Sequence, residues 1–223
     1  LICSQKKMNK CTFHRPHINN GEKIEIYTPS PQEQFEDQFS EILEQEHYQK
    51  GRIKKDMTII DCGANVGLAS IYFKDWAKVI YSLEPSSKHY EALVKNVGGY
   101  DDIKTFNAGL ANIDGYDSLS SDGGGGVPVS FFGNEDPKEM VRIKTVDNFM
   151  NENEIEHVDL FKIDTEGSEY LILPSRGFKN VSHKIDYIIG ESHYVGNKLM
   201  PGFIPLILKD MGFETRFLPI NNL

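Results

Sequence analysis

From residue 57 onward, short apolar runs alternate with stretches whose apolar positions recur at helical spacing. Strands are predicted at residues 57–61, 79–83, 103–107, 158–163 and 187–190. Residues 65–76 read as a helix, and the helix after Pro85 carries Tyr90, Leu93, Val94 and Val97 on one face. Ile204, Ile207, Leu208 and Met211 mark a last helix closed by Gly212, followed by a strand at 213–218. Strands that alternate with helices imply an α/β fold: a mostly parallel sheet with helices on both faces.

The N-terminal quarter has a different rhythm. Residues 1–31 lack a clear period and carry Pro16, Pro29 and Pro31, with one short strand at 23–27. Over residues 32–49, Phe35, Phe39, Ile42 and Leu43 fall on one helical face, and Gly51 supplies the stop. The expected division is an N-terminal extension with a helix, residues 1–55, and a main domain, residues 56–223. Residues 109–145 interrupt the alternation. Within them, residues 120–133 hold four consecutive glycines, Gly123 to Gly126, and read as a glycine-rich loop between short strands: a disordered connection, or a lid over the site.

Composition narrows the function classes. With 39% apolar and 26% charged residues, the chain is globular rather than disordered. No apolar run approaches the ~18 residues that span a bilayer. A net charge of −9 disfavours binding nucleic acid through its phosphates. Three cysteines, Cys3, Cys11 and Cys62, form no even disulfide framework and suit a reducing, cytoplasmic setting. Cys11, His14 and His17 match no standard zinc spacing and read as part of a polar terminus.

The candidate chemistry begins at Asp61-Cys-Gly-Ala-Asn-Val-Gly67, where an apolar strand ends in an acid and turns into a helix. Ligands of open α/β sheets bind at the carboxyl ends of strands, so this turn is the default site. Gly63 permits a tight turn and close approach of a ligand, and Gly67 permits the helix to pack near the strand. A dinucleotide fingerprint wants glycine where Asn65 and Leu68 stand, and Asp61 would oppose a pyrophosphate. S-adenosylmethionine carries a sulfonium and an ammonium and no phosphate, which suits an acid there. The next strand ends in Glu84-Pro85, an acid about 20 residues past the glycine turn, placed to accept hydrogen bonds from ribose hydroxyls. Asp164, Glu166 and Glu169 crowd the end of the fourth strand, a costly repulsion unless a cation or hydrogen bonds offset it.

Asp-Cys-Gly-Ala-Asn-Val-Gly, Leu-Glu-Pro and Lys162-Ile-Asp-Thr-Glu-Gly-Ser-Glu169, in that order, resemble the FkbM family of methyltransferases. The resemblance implies a class I methyltransferase fold, a Rossmann-like sheet with S-adenosylmethionine as cofactor, and methyl transfer, usually to a hydroxyl oxygen. It implies Asp61, Gly63, Asn65 and Gly67 for the methionine part and the turn, Glu84 and Pro85 at the ribose, Asn107 and Ala108 at the adenine, and Asp164 at the fourth-strand site. The implied acceptor is a sugar, glycolipid or small natural product, with neither nucleic acid nor a membrane span involved. That fold ends in an antiparallel hairpin, of which only residues 213–218 are legible.

A hydroxyl acceptor must lose its proton, which calls for a base near the transferred methyl. The candidates are Asp164, Glu166, Glu191 and His193, the last with a suitable unperturbed pKa. A divalent metal held by Asp164, Glu166 and Glu191 or His193 is the alternative means of acidifying the hydroxyl, and the sequence assigns no metal site. Two rivals share the fold. An NAD-linked oxidoreductase shares Glu84 but not the glycine pattern, and a non-catalytic binding module would not need Asp61, Glu84 and Asp164 intact.

Overall fold

The structure is a computed structural model and describes residues 8–14, 23–29, 53–119, 139–193 and 202–216. It begins with an antiparallel hairpin of β1 (Asn9–His14) and β2 (Lys23–Thr28). Then follow β3 (Met57–Cys62), α1 (Leu68–Phe73), β4 (Ala77–Leu83), α2 (Ser87–Val97) and β5 (Ile103–Phe106). Next come three short strands, β6 (Gly109–Leu110), β7 (Gly115–Leu119) and β8 (Glu139–Lys144), and α3 (Val146–Glu152). The chain continues through β9 (Val158–Ile163), α4 (Glu169–Ile172), α5 (Arg176–Val181), β10 (Ile185–Gly190) and α6 (Phe203–Asp210).

Five strands form the central sheet in the order β10-β9-β3-β4-β5, all parallel. The order reverses direction at β3, which lies between β4 and β9. That is the switch point where open α/β sheets form a crevice. Strand periodicity splits the core: Ile59 joins the cluster with Ile71, Tyr72, Phe73, Leu93 and Val97, whereas Ile60 joins the one with Phe149, Phe161 and Phe178. Every residue of β9 and of α1 is buried, as expected for elements covered on all sides.

Several elements differ from the sequence expectation. Asn65 (φ 51°) and Gly67 (φ 92°) adopt left-handed backbone, so α1 starts at Leu68 rather than at 65. On α2, Leu93 and Val97 are buried, but Val94 is 41% exposed and lies off the buried face. No strand forms over residues 213–216: Phe213 packs against the core, Glu214 to Arg216 are exposed, and no described strand pairs with the outer edge of β10. The interruption at 109–145 is a small sheet in the order β6-β8-β7, with β7 and β8 antiparallel around Leu119, Val141 and Ile143. The predicted strand at 23–27 is present as β2, but β1 lies in the stretch read as a polar terminus.

Asn96 ties the hairpin to the main sheet. Its carboxamide accepts from the Tyr27 N–H (2.7 Å) and donates to the Tyr27 carbonyl (2.8 Å), while Ile26 is fully buried in the core. The predicted helix at 32–49, the glycine-rich loop at 120–133, Cys3 and His17 lie outside the described residues. No helix among the described residues is long and apolar enough to cross a membrane.

Candidate active site

The turn after β3 is shaped by the protein's own backbone. Gly63 and Ala64 N–H groups both donate to the Leu83 carbonyl, at 3.1 and 2.9 Å. At Gly63 (φ 79°) an added Cβ would fall 1.9 Å from the Asp164 carbonyl oxygen. No side chain fits that crossing, so the glycine serves the contact between the β3 and β9 ends. At Gly67 an added Cβ would meet Leu93 and Val97 of α2, so this glycine admits α2 rather than the preceding strand.

Asp61 is fully buried beneath the turn. Parallel register aligns it with Lys162 on β9 and Ser82 on β4. The Ser70 hydroxyl donates to its carboxylate at 2.6 Å and lies 2.7 Å from the Ser82 hydroxyl. The Lys162 ammonium lies 3.0 Å from Asp61 and donates to the Gly63 carbonyl at 2.7 Å. Two desolvated charges therefore compensate one another, and the cation also pins the glycine turn.

Glu84 lies at the end of β4 and is only 8% exposed. One carboxylate oxygen accepts the Ser86 N–H and the other the Asn65 N–H, each at 2.9 Å. A carboxylate has about four acceptor sites, so about two remain, a match for a vicinal diol. Burial pushes this carboxyl up to about 7, against the pull of those two backbone bonds. The Asn107 carboxamide donates to the Glu84 and Pro85 carbonyls, both at 3.0 Å. Asn107 and Ala108 also line a cavity of about 330 Å³ with Tyr90, Thr105, Phe106 and Phe149.

At the ends of β9 and β10 the acids converge on one imidazole. His193 Nε2 lies 3.6 Å from Asp164, 3.6 Å from Glu166 and 3.7 Å from Glu191. Its Nδ1 lies 3.2 Å from Glu169, a fully buried carboxylate. Glu169 also accepts from the Thr165 N–H (2.7 Å), the Thr165 hydroxyl (3.1 Å) and the Gly167 N–H (2.8 Å). These bonds hold a turn in which Glu166 (φ 52°) and Gly167 (φ 109°) are left-handed. Burial alone would lower the His193 pKa, but the Glu169 hydrogen bond and the charges of Glu169, Glu166 and Asp164 outweigh it and raise it to about 9. Burial raises the Glu166 carboxyl, whereas the bonds from His193 and Thr165 outweigh burial at Glu169 and lower it. One oxygen each of Asp164 and Glu191 and one nitrogen of His193 lie within 4.8 Å of one another, a spacing that can hold a metal ion.

The structure thus brings the sequence candidates into two groups along one sheet edge. Gly63, Asn65, Glu84, Pro85, Asn107 and Ala108 lie around the β3–β5 ends, and Asp164, Glu166, Glu191 and His193 around the β9 and β10 ends. Asp61 is enclosed below them rather than facing the crevice. Sequence inspection assigned no role to Lys162, Ser70, Glu169 or Asn96. A lysine near the end of a mostly apolar strand, 158–163, was the available signal for Lys162.

The model of the methyltransferase FkbM domain matches residues 61–215. This chain belongs to that family. The match spans the turn, Glu84, the acid cluster and α6, and begins after the β1–β2 hairpin. The sheet and the family together make the chain a class I, S-adenosylmethionine-dependent methyltransferase. Among solved structures it is similar to a SAM-dependent methyltransferase from Aquifex aeolicus (14% identity, 75% of this chain and 78% of that one, TM-score 0.41). It is also similar to precorrin-6y C5,15-methyltransferase from Geobacter metallireducens (13% identity, 77% and 76%, TM-score 0.43). A third similar structure is precorrin-8w decarboxylase from Methanobacterium thermoautotrophicum (12% identity, 84% and 76%, TM-score 0.45). No curated protein matches the chain.

Proposed function

We propose that this methyltransferase acts on a hydroxyl oxygen of a sugar, glycolipid or small natural product. The observation that carries this reading is the gathering of Asp164, Glu166, Glu191 and His193 around one point beside the switch point. An O-methyltransferase must remove a proton from its acceptor, and this cluster supplies carboxylates at the edge where an acceptor would enter.

In this reading residues 56–223 form the catalytic domain and residues 1–55 an extension to it. Glu84 holds the ribose through its remaining acceptor sites with Pro85 beside it, Gly63 to Gly67 line the methionine part, and Asn107 and Ala108 border the adenine. Asp164 faces the reactive end. Asp61 acts indirectly, by fixing Lys162 and through it the Gly63 carbonyl. Bound there, S-adenosylmethionine supplies an electrophilic methyl group on a sulfonium. The chain's part is to align the acceptor oxygen with that carbon, exclude water and take the proton. Glu166, 43% exposed at its side chain, reaches furthest toward solvent and is assigned the proton.

The test is methyl transfer to a panel of hydroxylated sugars, glycolipids and small natural products, read by mass spectrometry of the products. An O-methylated product is expected. Methylation confined to nitrogen or carbon acceptors would overturn the assignment.

A further inference from the structure

We propose that Asp164, Glu191 and His193 form a divalent-cation site. It takes an ion of mixed nitrogen and oxygen preference, of which Mn²⁺ is the probe, in preference to Mg²⁺ or Ca²⁺.

The strand ends build the site. Gly190 and Ile163 are register partners across the parallel pair β10 and β9, so the residues that follow them, Glu191 and Asp164, emerge side by side. The Glu191 N–H bonds to the Ile163 carbonyl at 3.1 Å, which fixes that neighbourhood. His193 then folds its ring back over both. The separations are informative. Nε2 stands 3.6 to 3.7 Å from the Asp164, Glu166 and Glu191 oxygens, too far for the hydrogen bond an N–H and a carboxylate would make. Ligands about 2.1 Å from a shared ion, at angles of about 110–120°, stand roughly 3.4–3.6 Å apart. All three ligand atoms lie within 4.8 Å of one another, close enough for one ion to reach them together.

The other ring nitrogen supplies an independent observation. Nδ1 is paired at 3.2 Å with Glu169, whose carboxylate is fully buried and anchored by two backbone N–H groups. A buried carboxylate behind an imidazole keeps a proton on Nδ1 and directs Nε2 to the opposite side, as behind metal-ligating histidines. That side is the one faced by Asp164 and Glu191. Coordination replaces any proton on Nε2 with the ion and leaves the Glu169 bond intact. An imidazole among the ligands suits a first-row transition ion better than Mg²⁺ or Ca²⁺, which take oxygen ligands.

A second triad sharpens the test. His157, Asp159 and Asp186 also have chelating spacing, at the opposite ends of β9 and β10. There Lys54 lies 2.6 Å from Asp159 and 3.7 Å from Asp186, closer to both carboxylates than Lys162 comes to Asp164 (3.9 Å), so this triad is the more strongly neutralised of the two.

That the ion polarises an acceptor hydroxyl rests on the methyl-transfer reading, whereas its binding does not. The full chain, free of any polyhistidine tag and stripped with chelator, is titrated calorimetrically with Mn²⁺, Zn²⁺, Mg²⁺ and Ca²⁺. One Mn²⁺ per chain is expected. Asp164→Asn, Glu191→Gln and His193→Ala should each weaken it at least tenfold, Glu169→Gln about tenfold through lost ring orientation, and His157→Ala not at all. Thermal melting confirms that each variant is folded, and the Mn²⁺ paramagnetic resonance signal gives a second readout of occupancy. No binding by the wild-type chain, equal affinity in the three ligand variants, or loss in His157→Ala would each overturn the site. S-adenosylhomocysteine is titrated into the same samples. Its binding without Mn²⁺ binding refutes the cation site alone, and Mn²⁺ binding without it refutes the methyl-donor site alone.

Discussion

Lys162→Met removes the cation beneath the glycine turn while keeping a side chain of similar length. In the native chain the ammonium is almost fully enclosed, 3.0 Å from a fully buried Asp61, and it bonds to the Gly63 carbonyl. After the substitution Asp61 retains the Ser70 hydroxyl but no opposing charge. Stripping one partner from a buried ion pair costs about 3–5 kcal/mol. For a domain of this size each kcal/mol moves the midpoint by roughly 2–4 °C, so a fall of roughly 6–20 °C is expected. Restoring neutrality with Asp61→Asn in the same chain should recover part of that loss, because the uncompensated charge is gone. Urea unfolding of the two single variants and the double variant closes a thermodynamic cycle. A loss below about 1 kcal/mol for Lys162→Met, or no coupling between the two positions, would refute the role assigned to this pair.

Four further outcomes are expected from the site. In the proposed role at the ribose, Glu84 must be ionised to accept two hydroxyls, and burial holds its carboxyl at about 7. Affinity for S-adenosylhomocysteine should therefore fall by up to about tenfold per pH unit below that value and level off above it. Because its folded pKa lies above the ordinary 4.5, the empty protein should lose stability as pH rises from 4.5 to about 7 and then level, by urea unfolding across that range. Gly63→Ala places a methyl group 1.9 Å from the Asp164 carbonyl, so the β3 and β9 ends must part, and chemical unfolding should show a loss above the ~1–3 kcal/mol of backbone strain alone. Asn96 also donates to the Val66 carbonyl in the glycine turn at 2.8 Å, so Asn96→Ala should raise the dissociation constant for S-adenosylhomocysteine and speed hydrogen exchange in the hairpin, both absent in a surface control such as Lys88→Ala.

The sheet was legible because its strands are apolar runs separated by helical periods, and parallel order followed from their alternation. The glycine turn and the two strand-end acids, Glu84 and Asp164, were legible because motif and strand end coincide. What escaped depends on register. Lys162 gains meaning only when β9 lies beside β3, and Glu169 only when its side chain folds back under its own turn onto Thr165 and Gly167. His193 was named for the suitable pKa of an unperturbed imidazole, but the acids that raise it come from two strand ends the sequence does not show touching. The helix expected from residue 65 lost its first turn to left-handed Asn65 and Gly67, which the motif contains but periodicity ignores. Small elements such as α3 and α4 are too short to leave a helical period.

The most direct measurement is a parallel calorimetric titration of the chain with S-adenosylhomocysteine and NAD, repeated on Glu84→Ala. S-adenosylhomocysteine should bind at one site, NAD should give no heat, and Glu84→Ala should weaken binding by about 1.5–3 kcal/mol while the protein stays folded. Saturable NAD binding without S-adenosylhomocysteine binding, or unchanged affinity in the folded Glu84→Ala variant, would contradict the placement of a methyl donor at this sheet edge.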